Sequence, residues 1–321
     1  MRPFELTPPI KDYIWGGTRL RDEFGKESKL DRLAESWELS CHKDGVSVIK
    51  TGEFAGMTLP QFLEEHPEAL GENCDKFDFF PVLIKLIDAK DNLSVQVHPD
   101  NDYAMRVEGE YGKTEMWYIV DCDPDAELIY GFKDEISQED FRRAIEENTL
   151  LDKVNRVKVK KGDVFFIKSG TLHAIGKGIL IAEIQQNSNT TYRVYDYGRV
   201  GADGKPRELH IEKALEVTDR TPAPMNTIAP AQEMGDGLSI QQLASCEYFS
   251  VMKFTMAEGG ELFFNHVQGS FQHFLVVEGT GSLVCGDEVL PVKKGSSVFV
   301  PAGSEAFYIT GECSVIITFI E

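Results

Sequence analysis

Short runs of β-branched and aromatic residues, separated by Gly, Asp and Pro, make up most of the hydrophobic pattern of this chain. Such runs predict β-strands. Helical spacing is rarer and falls in the N-terminal half, in a stretch opened by Thr58-Leu59-Pro60, in Asp100–Glu108, and in FRRAIEENTL after Ser137 and Asp140. The first and last carry N-capping signals. The pattern therefore predicts an all-β core with a few helices added to the N-terminal half.

A segment of the first half recurs in the second. Residues 162–170 (GDVFFIKSG) are followed by His173, and residues 295–303 (GSSVFVPAG) are followed at the same offset by Ala306. Upstream, EMWYIV from Glu115 matches QHFLVV from Gln272 in pattern. The spacing resembles the second motif of the cupin superfamily, whose members are small double-sheet jelly rolls. One barrel is expected to bind metal, and the other to be a scaffold.

The predicted fold is therefore mainly β, with two cupin (jelly-roll) β-barrels. Three prolines and no clear periodicity mark a boundary in 221–237. We expect an N-terminal metal-binding cupin domain with helical additions over 1–225. A C-terminal cupin domain without a metal site is expected over 238–321.

The charge of the chain excludes several partners. In 321 residues, 33 Lys and Arg stand against 53 Asp and Glu, giving a net charge of −20. Such a surface repels nucleic acid and anionic membrane. The six cysteines form no C-x-x-C pair, and the N-terminal residues lack a signal-peptide pattern. We expect free thiols and a cytoplasmic protein, and the oligomeric state is left open.

Three residues offer the ligand types of a first-row cation. Strand alternation around LSVQVHP places Ser94, Gln96 and His98 on one face, opposite Leu93, Val95 and Val97. With Glu115 and His173, His98 gives three ligands for one divalent cation, predicted to be zinc, and Gln96 is a possible fourth. A lone histidine is more often structural, but the cupin context favours ligation here.

Positive charges in apolar surroundings are candidates for binding an anionic substrate. Lys85 interrupts FFPVLIKLI, Lys113 shares a strand face with Glu115, and Arg193 lies in TTYRVYDYGR. Lys85 could instead pair with an internal carboxylate. Arg199 reads as a loop charge, and Glu183, in ILIAEIQQ, is either paired or catalytic.

Several blocks resemble type I mannose-6-phosphate isomerases, a family of zinc-dependent cupin enzymes. They are YIWGGTRL, FPVLIKLIDAKDNLSVQVHPD, GKTEMWYIVD and SGTLHAIGKGILIAEIQQNSNTTYRVYDYGR. The resemblance runs from Tyr13 to about Arg199, and is of the short bacterial form. Lys168 departs from the cupin pattern, which expects Pro there.

The resemblance implies interconversion of mannose 6-phosphate and fructose 6-phosphate through an enediol, with one Zn²⁺ per chain. The family's metal ligands fall on Gln96, His98, Glu115 and His173, and its catalytic arginine on Arg193. Lys85 and Lys113 fall among its substrate-binding residues, as does Ser94. The base is left open among water at the metal, Glu183 and Lys113.

Two other functions fit parts of the pattern. An iron-dependent cupin oxygenase could use the same ligands, but it gives no reason for the cationic cluster of Lys85, Lys113 and Arg193. A non-catalytic sugar-binding or regulatory cupin would suit the second barrel alone. The second barrel has Ala306 at the position of a histidine ligand, whereas the first barrel has both Glu115 and His173.

Overall fold

The computed structural model describes residues 1–201, 204–225, 228–265 and 267–321. These residues form 23 β-strands and five α-helices, with three short 3₁₀ turns. The helices are α1 (Arg19–Asp22), α2 (Leu59–Glu65), α3 (Asn101–Val107), α4 (Gln138–Glu146) and α5 (Ile211–Val217). In the described residues, no helix has the length and apolar character needed to cross a membrane.

Fifteen strands lie in the first 225 residues. They are β1 (Phe4–Thr7), β2 (Ile10–Lys11), β3 (Glu35–Leu39), β4 (Cys41–His42), β5 (Gly45–Val46), β6 (Val48–Ile49), β7 (Val82–Ala89), β8 (Val95–Val97), β9 (Glu115–Cys122), β10 (Glu127–Phe132), β11 (Val154–Lys158), β12 (Val164–Ile167), β13 (His173–Ala174), β14 (Ile179–Gln186) and β15 (Tyr192–Tyr195).

Eight more strands follow. They are β16 (Gln232–Gly235), β17 (Leu238–Ser245), β18 (Ser250–Met256), β19 (Glu261–Phe264), β20 (Gln272–Cys285), β21 (Glu288–Lys293), β22 (Ser297–Val300) and β23 (Phe307–Phe319). The predicted mainly β cupin architecture is confirmed.

Two sheets form the N-terminal barrel. One has the order β12-β9-β14-β7-β3-β2, and the other has the order β11-β10-β13-β8-β15. Ile119 and Ile181 of the first pack with Leu128 and Tyr130 of the second in one buried apolar cluster. Helices α4 and α5 cover the outer face of the five-stranded sheet, where Phe141 and Leu215 pack on Val97.

The C-terminal sheet follows the order β16-β17-β18-β23-β20-β22-β1-β6, with β19 on β23 and β21 on β20. Its β1 and β6 come from the beginning of the chain, and β1 pairs with β22 through Phe4 and Phe299. The domain limits 1–225 and 238–321 stay a prediction. Within the predicted linker, 232–235 forms a strand, and Asn226 and Thr227 lie outside the described residues.

Strand β9 is buried on both faces, because its sheet lies between two cores. Met116 and Tyr118 face a cluster that includes Phe271 and Phe299 of the C-terminal barrel. Trp117 faces the opposite side, into the core of the N-terminal barrel. Strand alternation therefore directs Glu115, two residues before Trp117, into that barrel.

The internal repeat corresponds to equivalent strand pairs. Glu115 of β9 lies opposite Ile167 of β12, and Gln272 of β20 lies opposite Val300 of β22. The two strand pairs thus share one register, as the sequence repeat predicts.

The three predicted helical stretches form α2, α3 and α4, and their caps explain where they begin. Thr58 and Gln61 form a reciprocal capping box at α2, and the Ser137 hydroxyl accepts a bond from Asp140 N at α4. Helices α1 and α5 were not predicted. Helix α1 has only four residues, and α5 begins after His210, whose side chain makes no capping hydrogen bond, so neither start carries the signal that marks α2, α3 and α4. Leu93 was placed wrongly: β8 begins at Val95, and Leu93 packs with Trp15 instead.

Candidate metal centre and substrate pocket

His98, Glu115 and His173 come together inside the N-terminal barrel. His173 Nε2 lies 3.4 Å from Glu115 Oε1, and His98 Nε2 lies 3.7 Å from Glu115 Oε2. One potential ligand atom from each residue lies within 4.8 Å of the others, and all three residues are buried. Residues distant in the sequence thus form one group compatible with a metal ion.

Strand register and one turn bring these side chains together. Gln96 of β8 lies opposite His173 of β13 on one side and Arg193 of β15 on the other. Gly170, in the turn before His173, has φ +87° and donates its N–H to His98 O at 2.8 Å. This backbone bond ties the segment of one histidine to that of the other.

Each imidazole is oriented by a backbone carbonyl. His98 Nδ1 lies 2.9 Å from Thr190 O, and His173 Nδ1 lies 2.8 Å from Thr171 O. Donation from Nδ1–H leaves Nε2 with its lone pair directed at Glu115. Burial lowers the pKa of His98 well below its usual value and lowers the pKa of His173 to about 4. Both rings are therefore neutral, the form that ligates metals.

The donor set fits a small divalent cation. Ligands about 2.0–2.2 Å from a tetrahedral zinc lie about 3.4 Å from one another. Glu115 Oε1 lies 3.4 Å from His173 Nε2, and its other oxygen, Oε2, lies 3.7 Å from His98 Nε2, so both separations are of this size.

Both Glu115 oxygens are buried without a hydrogen bond of good geometry. Oε2 has the Lys113 ammonium 2.8 Å away, whereas Oε1 faces the imidazole of His173 at 3.4 Å, so the carboxylate is oriented to share a cation with that histidine. The amide of Gln96 lies 3.4 Å from His173 Nε2, and its place as a fourth ligand stays a prediction.

Lys85 and Lys113 are paired with carboxylates beside this group. Lys113 Nζ lies 2.8 Å from Glu115 Oε2, and Lys85 Nζ lies 3.3 Å from Glu183 Oε1 and 3.7 Å from Glu35 Oε2. Burial opposes the charge of Lys85, but Glu35, Glu183 and Glu115 together raise its pKa. Burial and the charge of Glu183 raise the pKa of Glu115. Two ammonium groups thus face three carboxylates.

A cavity of about 280 Å³ opens beside the metal-ligand group. Predicted site residues on its wall are Lys85, Ser94, Gln96, Lys113, Glu183 and Arg193. Residues that sequence reasoning missed are Tyr13, Trp15, Glu35, Asn189, Thr191 and Arg207. A weak signal existed for Glu35, a carboxylate that follows Leu33-Ala34, and for Arg207, a cation that follows Gly204-Lys205-Pro206 in an acidic chain.

Arg193 reaches the cavity from β15. Its Nε donates to Ser94 Oγ at 3.2 Å, and its Nη1 donates to Glu208 O at 3.0 Å. Burial, followed by the charge of Arg207, lowers the pKa of Arg193. Arg199, predicted to be a loop charge, bonds the backbone oxygen of Asn92 and the carboxylate of Asp196.

Two family models match the chain. Phosphomannose isomerase type I, catalytic domain, matches residues 3–126, and mannose-6-phosphate isomerase, cupin domain, matches residues 239–320. The chain is 41% identical to the mannose-6-phosphate isomerase ManA of Bacillus subtilis over 99% of both chains. It is 39% identical to a mannose-6-phosphate isomerase of Streptococcus mutans, over 98% of this chain and 97% of that protein.

Solved structures agree with these similarities. The crystal structure of the mannose 6-phosphate isomerase from Bacillus subtilis superposes with a TM-score of 0.91, at 40% identity over 99% of both chains. A putative mannosephosphate isomerase from Archaeoglobus fulgidus superposes with a TM-score of 0.74 at 22% identity, over 99% of this chain and 97% of that one. The second likeness concerns the fold alone.

Proposed function

The chain belongs to the type I phosphomannose isomerase family, and on this premise we propose that it interconverts mannose 6-phosphate and fructose 6-phosphate with one zinc ion per chain. It is an aldose–ketose isomerase. The observation that carries the proposal is the buried group of His98, Glu115 and His173. It lies behind a polar cavity whose wall includes Gln96 and Lys113, and each of these contacts a member of the group. Its neutral imidazoles and its buried carboxylate suit a Lewis-acidic cation.

The proposed reaction moves a proton between C2 and C1 of the sugar through an enediol. His98, Glu115 and His173 would hold the zinc ion, with Gln96 as a fourth ligand. When bound, zinc supplies Lewis acidity that polarises the oxygens on the reacting carbons. Because the three ligands are buried, the positive charge of a bound zinc ion would act in a site of low dielectric constant, where electrostatic interactions are stronger than in water.

Arg193 is proposed as the catalytic arginine. Its guanidinium is fixed by Ser94 and by the Glu208 carbonyl, so it is preorganised to stabilise negative charge developing on the substrate oxygens. Lys85 and Lys113 are proposed to contact the sugar from the cavity wall. Glu183 lies 3.8 Å from Lys113 and shares that wall, so both side chains stay candidates for the proton-transferring base.

The deciding experiment combines metal analysis with a coupled isomerase assay on mannose 6-phosphate, before and after chelation. We expect about one zinc per chain, loss of activity on chelation and recovery on adding zinc. Metal without isomerase activity would contradict the reaction, and oxygen uptake with an organic substrate would favour an oxygenase. The cytoplasmic location expected from the sequence is part of the proposal, and fractionation of the source cells tests it.

The role of Arg193 has its own test. Arg193→Ala is expected to lower kcat about 100- to 1,000-fold, the range seen when one preorganised electrostatic donor is removed, while zinc content is unchanged. Arg142→Ala is the matched control, because Arg142 of α4 forms an exposed ion pair with Glu212 of α5. Normal turnover in Arg193→Ala would exclude the catalytic role.

A further inference from the structure

The backbone of Arg193 is bonded on its outer side by one histidine. Strand β15, which carries Arg193, is the last in the order of the five-stranded sheet. Beyond it, Arg193 N donates to His210 Nδ1 at 3.2 Å, and His210 N donates to Arg193 O at 2.8 Å. His210 thus satisfies both backbone polar groups of Arg193, as a neighbouring strand does inside a sheet.

The same segment also holds the side chain of Arg193. Glu208, two residues before His210, accepts a hydrogen bond from Arg193 Nη1 at its backbone oxygen, at 3.0 Å. A second acceptor, Ser94 Oγ, lies 3.2 Å from Arg193 Nε. The position of the Glu208 carbonyl depends on where the segment 208–210 is attached to β15, and the two bonds of His210 make that attachment.

His210 lies at the N-cap of α5 but does not cap the helix. Its side chain makes no hydrogen bond to the first turn, at a position where Ser, Thr, Asp or Asn usually supplies one. The imidazole is directed toward β15 instead, with its ring centre 6.1 Å from that of Tyr192. The Tyr192 hydroxyl donates to Glu108, which also pairs with Lys213 of α5. The strand beside the imidazole and the helix after it are therefore tied to each other.

The direction of these bonds defines the state of the imidazole. A backbone N–H can only donate, so His210 Nδ1 must accept, and the ring proton lies on Nε2. Burial, followed by the charge of Arg193, lowers the pKa of His210, which favours this neutral form. His210 is not among the residues on the cavity wall, so it can act on the reaction only through Arg193.

We propose that His210 is a positioning residue for the catalytic arginine: it holds the Arg193 backbone through its ring and its own N–H, and thereby places the Glu208 carbonyl against the guanidinium. This inference rests on the proposed function, in which Arg193 is the catalytic residue. A displaced guanidinium keeps its charge but loses its alignment with the substrate oxygens, and a displacement of about 1 Å can lower turnover about 100-fold. The loss falls on kcat, because the aligned contact is made in the transition state.

The test compares three substitutions of His210 in the zinc-loaded enzyme. His210→Ala removes the acceptor and is expected to lower kcat about 10- to 100-fold, with kcat/KM lowered by the same factor. His210→Asn keeps an acceptor, because the Asn Oδ1 is as many bonds from Cα as the His Nδ1, and it should recover most of the kcat. His210→Gln places its oxygen at the position of Nε2, so it should resemble His210→Ala. A merely structural role predicts no such difference between the two amides.

His66 gives the matched control. Its φ and ψ of −131° and 63° resemble the −105° and 53° of His210, and its side chain also makes no capping bond. His66 is not on the cavity wall, so His66→Ala should turn over like wild type. Thermal unfolding confirms that each variant is folded before kcat is compared. Unchanged kcat in His210→Ala would overturn the inference, as would equal kcat in His210→Asn and His210→Gln.

The nitrogen NMR spectrum of protein with isotope-labelled histidine separates this inference from the proposed function. We expect His210, identified by the signals lost in His210→Gln, to show a proton on Nε2 and none on Nδ1. A proton on Nδ1 would overturn the inference, whatever the enzyme turns over. If wild type does not isomerise mannose 6-phosphate, the proposed function is wrong, even when the spectrum shows the hydrogen bond. If Arg193→Ala loses turnover and His210→Ala does not, the catalytic arginine stands and the inference is wrong.

Discussion

Two fully buried histidines, one in each barrel, provide a matched pair for testing metal ligation. His173 faces Glu115, whereas His273 Nε2 lies 2.8 Å from Ser297 Oγ and is surrounded by the sheet of the second barrel. We expect His173→Gln to weaken zinc binding at least about 100-fold, because it removes an imidazole ligand. His273→Gln should bind zinc like wild type, and metal titration of both folded variants measures the difference. Equal zinc affinity in the two variants would contradict the assigned ligand.

His273 also predicts a pH dependence of stability. Burial lowers its pKa to about 3 in the folded protein, whereas an unfolded histidine titrates near 6.5. Between pH 3 and pH 6.5 the unfolded chain binds a proton at His273 that the folded protein does not bind. The contribution of His273 to the free energy of unfolding is therefore fully present above about pH 6.5 and decreases as the pH drops toward 3. At pH 5 the loss attributable to His273 is about 2 kcal/mol relative to pH 7.

The measurement is denaturant unfolding of wild type and His273→Gln at pH 7 and pH 5. The substitution removes the titrating group, so the stability difference between the proteins should move by about 2 kcal/mol in favour of the variant at pH 5. A difference that is the same at both pH values would show that this histidine is not neutral in the fold.

At the scale of elements, the turn before His173 depends on Gly170. Its φ is +87°, and an added Cβ would lie 3.0 Å from Val217 O at the end of α5. Gly162 has φ +91° with open space around it, so it shares the backbone strain but lacks the contact. We expect Gly162→Ala to cost about 1–2 kcal/mol, and Gly170→Ala to cost more and to weaken zinc binding about tenfold.

Thermal unfolding and zinc titration of both variants check this expectation. Because Gly170 and Gly162 have similar positive φ values, the backbone strain of the two alanine variants is similar. Any further loss in Gly170→Ala is therefore due to the contact with α5 and to the backbone bond with His98. Unchanged zinc affinity in Gly170→Ala would mean that the turn does not set the position of His173.

The candidate site was predictable where one strand carries the signal. Alternation places Gln96 of β8, and Glu115 and Trp117 of β9, in the barrel because a strand has period two. His98 and Lys113 were also predicted correctly, although they lie just outside these strands, where backbone bonds to Gly170 and Pro99 hold them. Asp196 and Arg207 could not be paired from the sequence, since their contact depends on the path of the loop after β15. Leu93 was misplaced because alternation applies only inside a strand, and β8 begins two residues later.

At the scale of the whole molecule, the two barrels share one core, and Phe4 is a residue that joins them. Its ring lies 5.1 Å from that of Phe62 and 5.4 Å from that of Phe299. Phe4→Ala is expected to destabilise the protein by about 3–5 kcal/mol. Calorimetry should show one unfolding transition for both halves, moved as a whole by the substitution. Phe263, 62% exposed, gives the control Phe263→Ala, expected within about 0.5 kcal/mol of wild type.

Two separate transitions, with only one affected by Phe4→Ala, would contradict the shared core. This exchange of β1 into the C-terminal sheet was not predicted from the sequence. FELT is a four-residue run whose partner lies almost 300 residues later, and a local pattern carries no information about such a distant partner.

The pairing of β1 with β22 has a consequence for the order of events during synthesis. Phe4 leaves the ribosome well before Phe299, because almost 300 residues separate the two partners. At about 5–20 residues per second, β1 waits roughly 15–60 s for its partner strand. During that interval its apolar side chains and unpaired edge are available to other nascent chains and to chaperones, so the yield of active protein should depend on the speed of translation between the codons of β1 and β22.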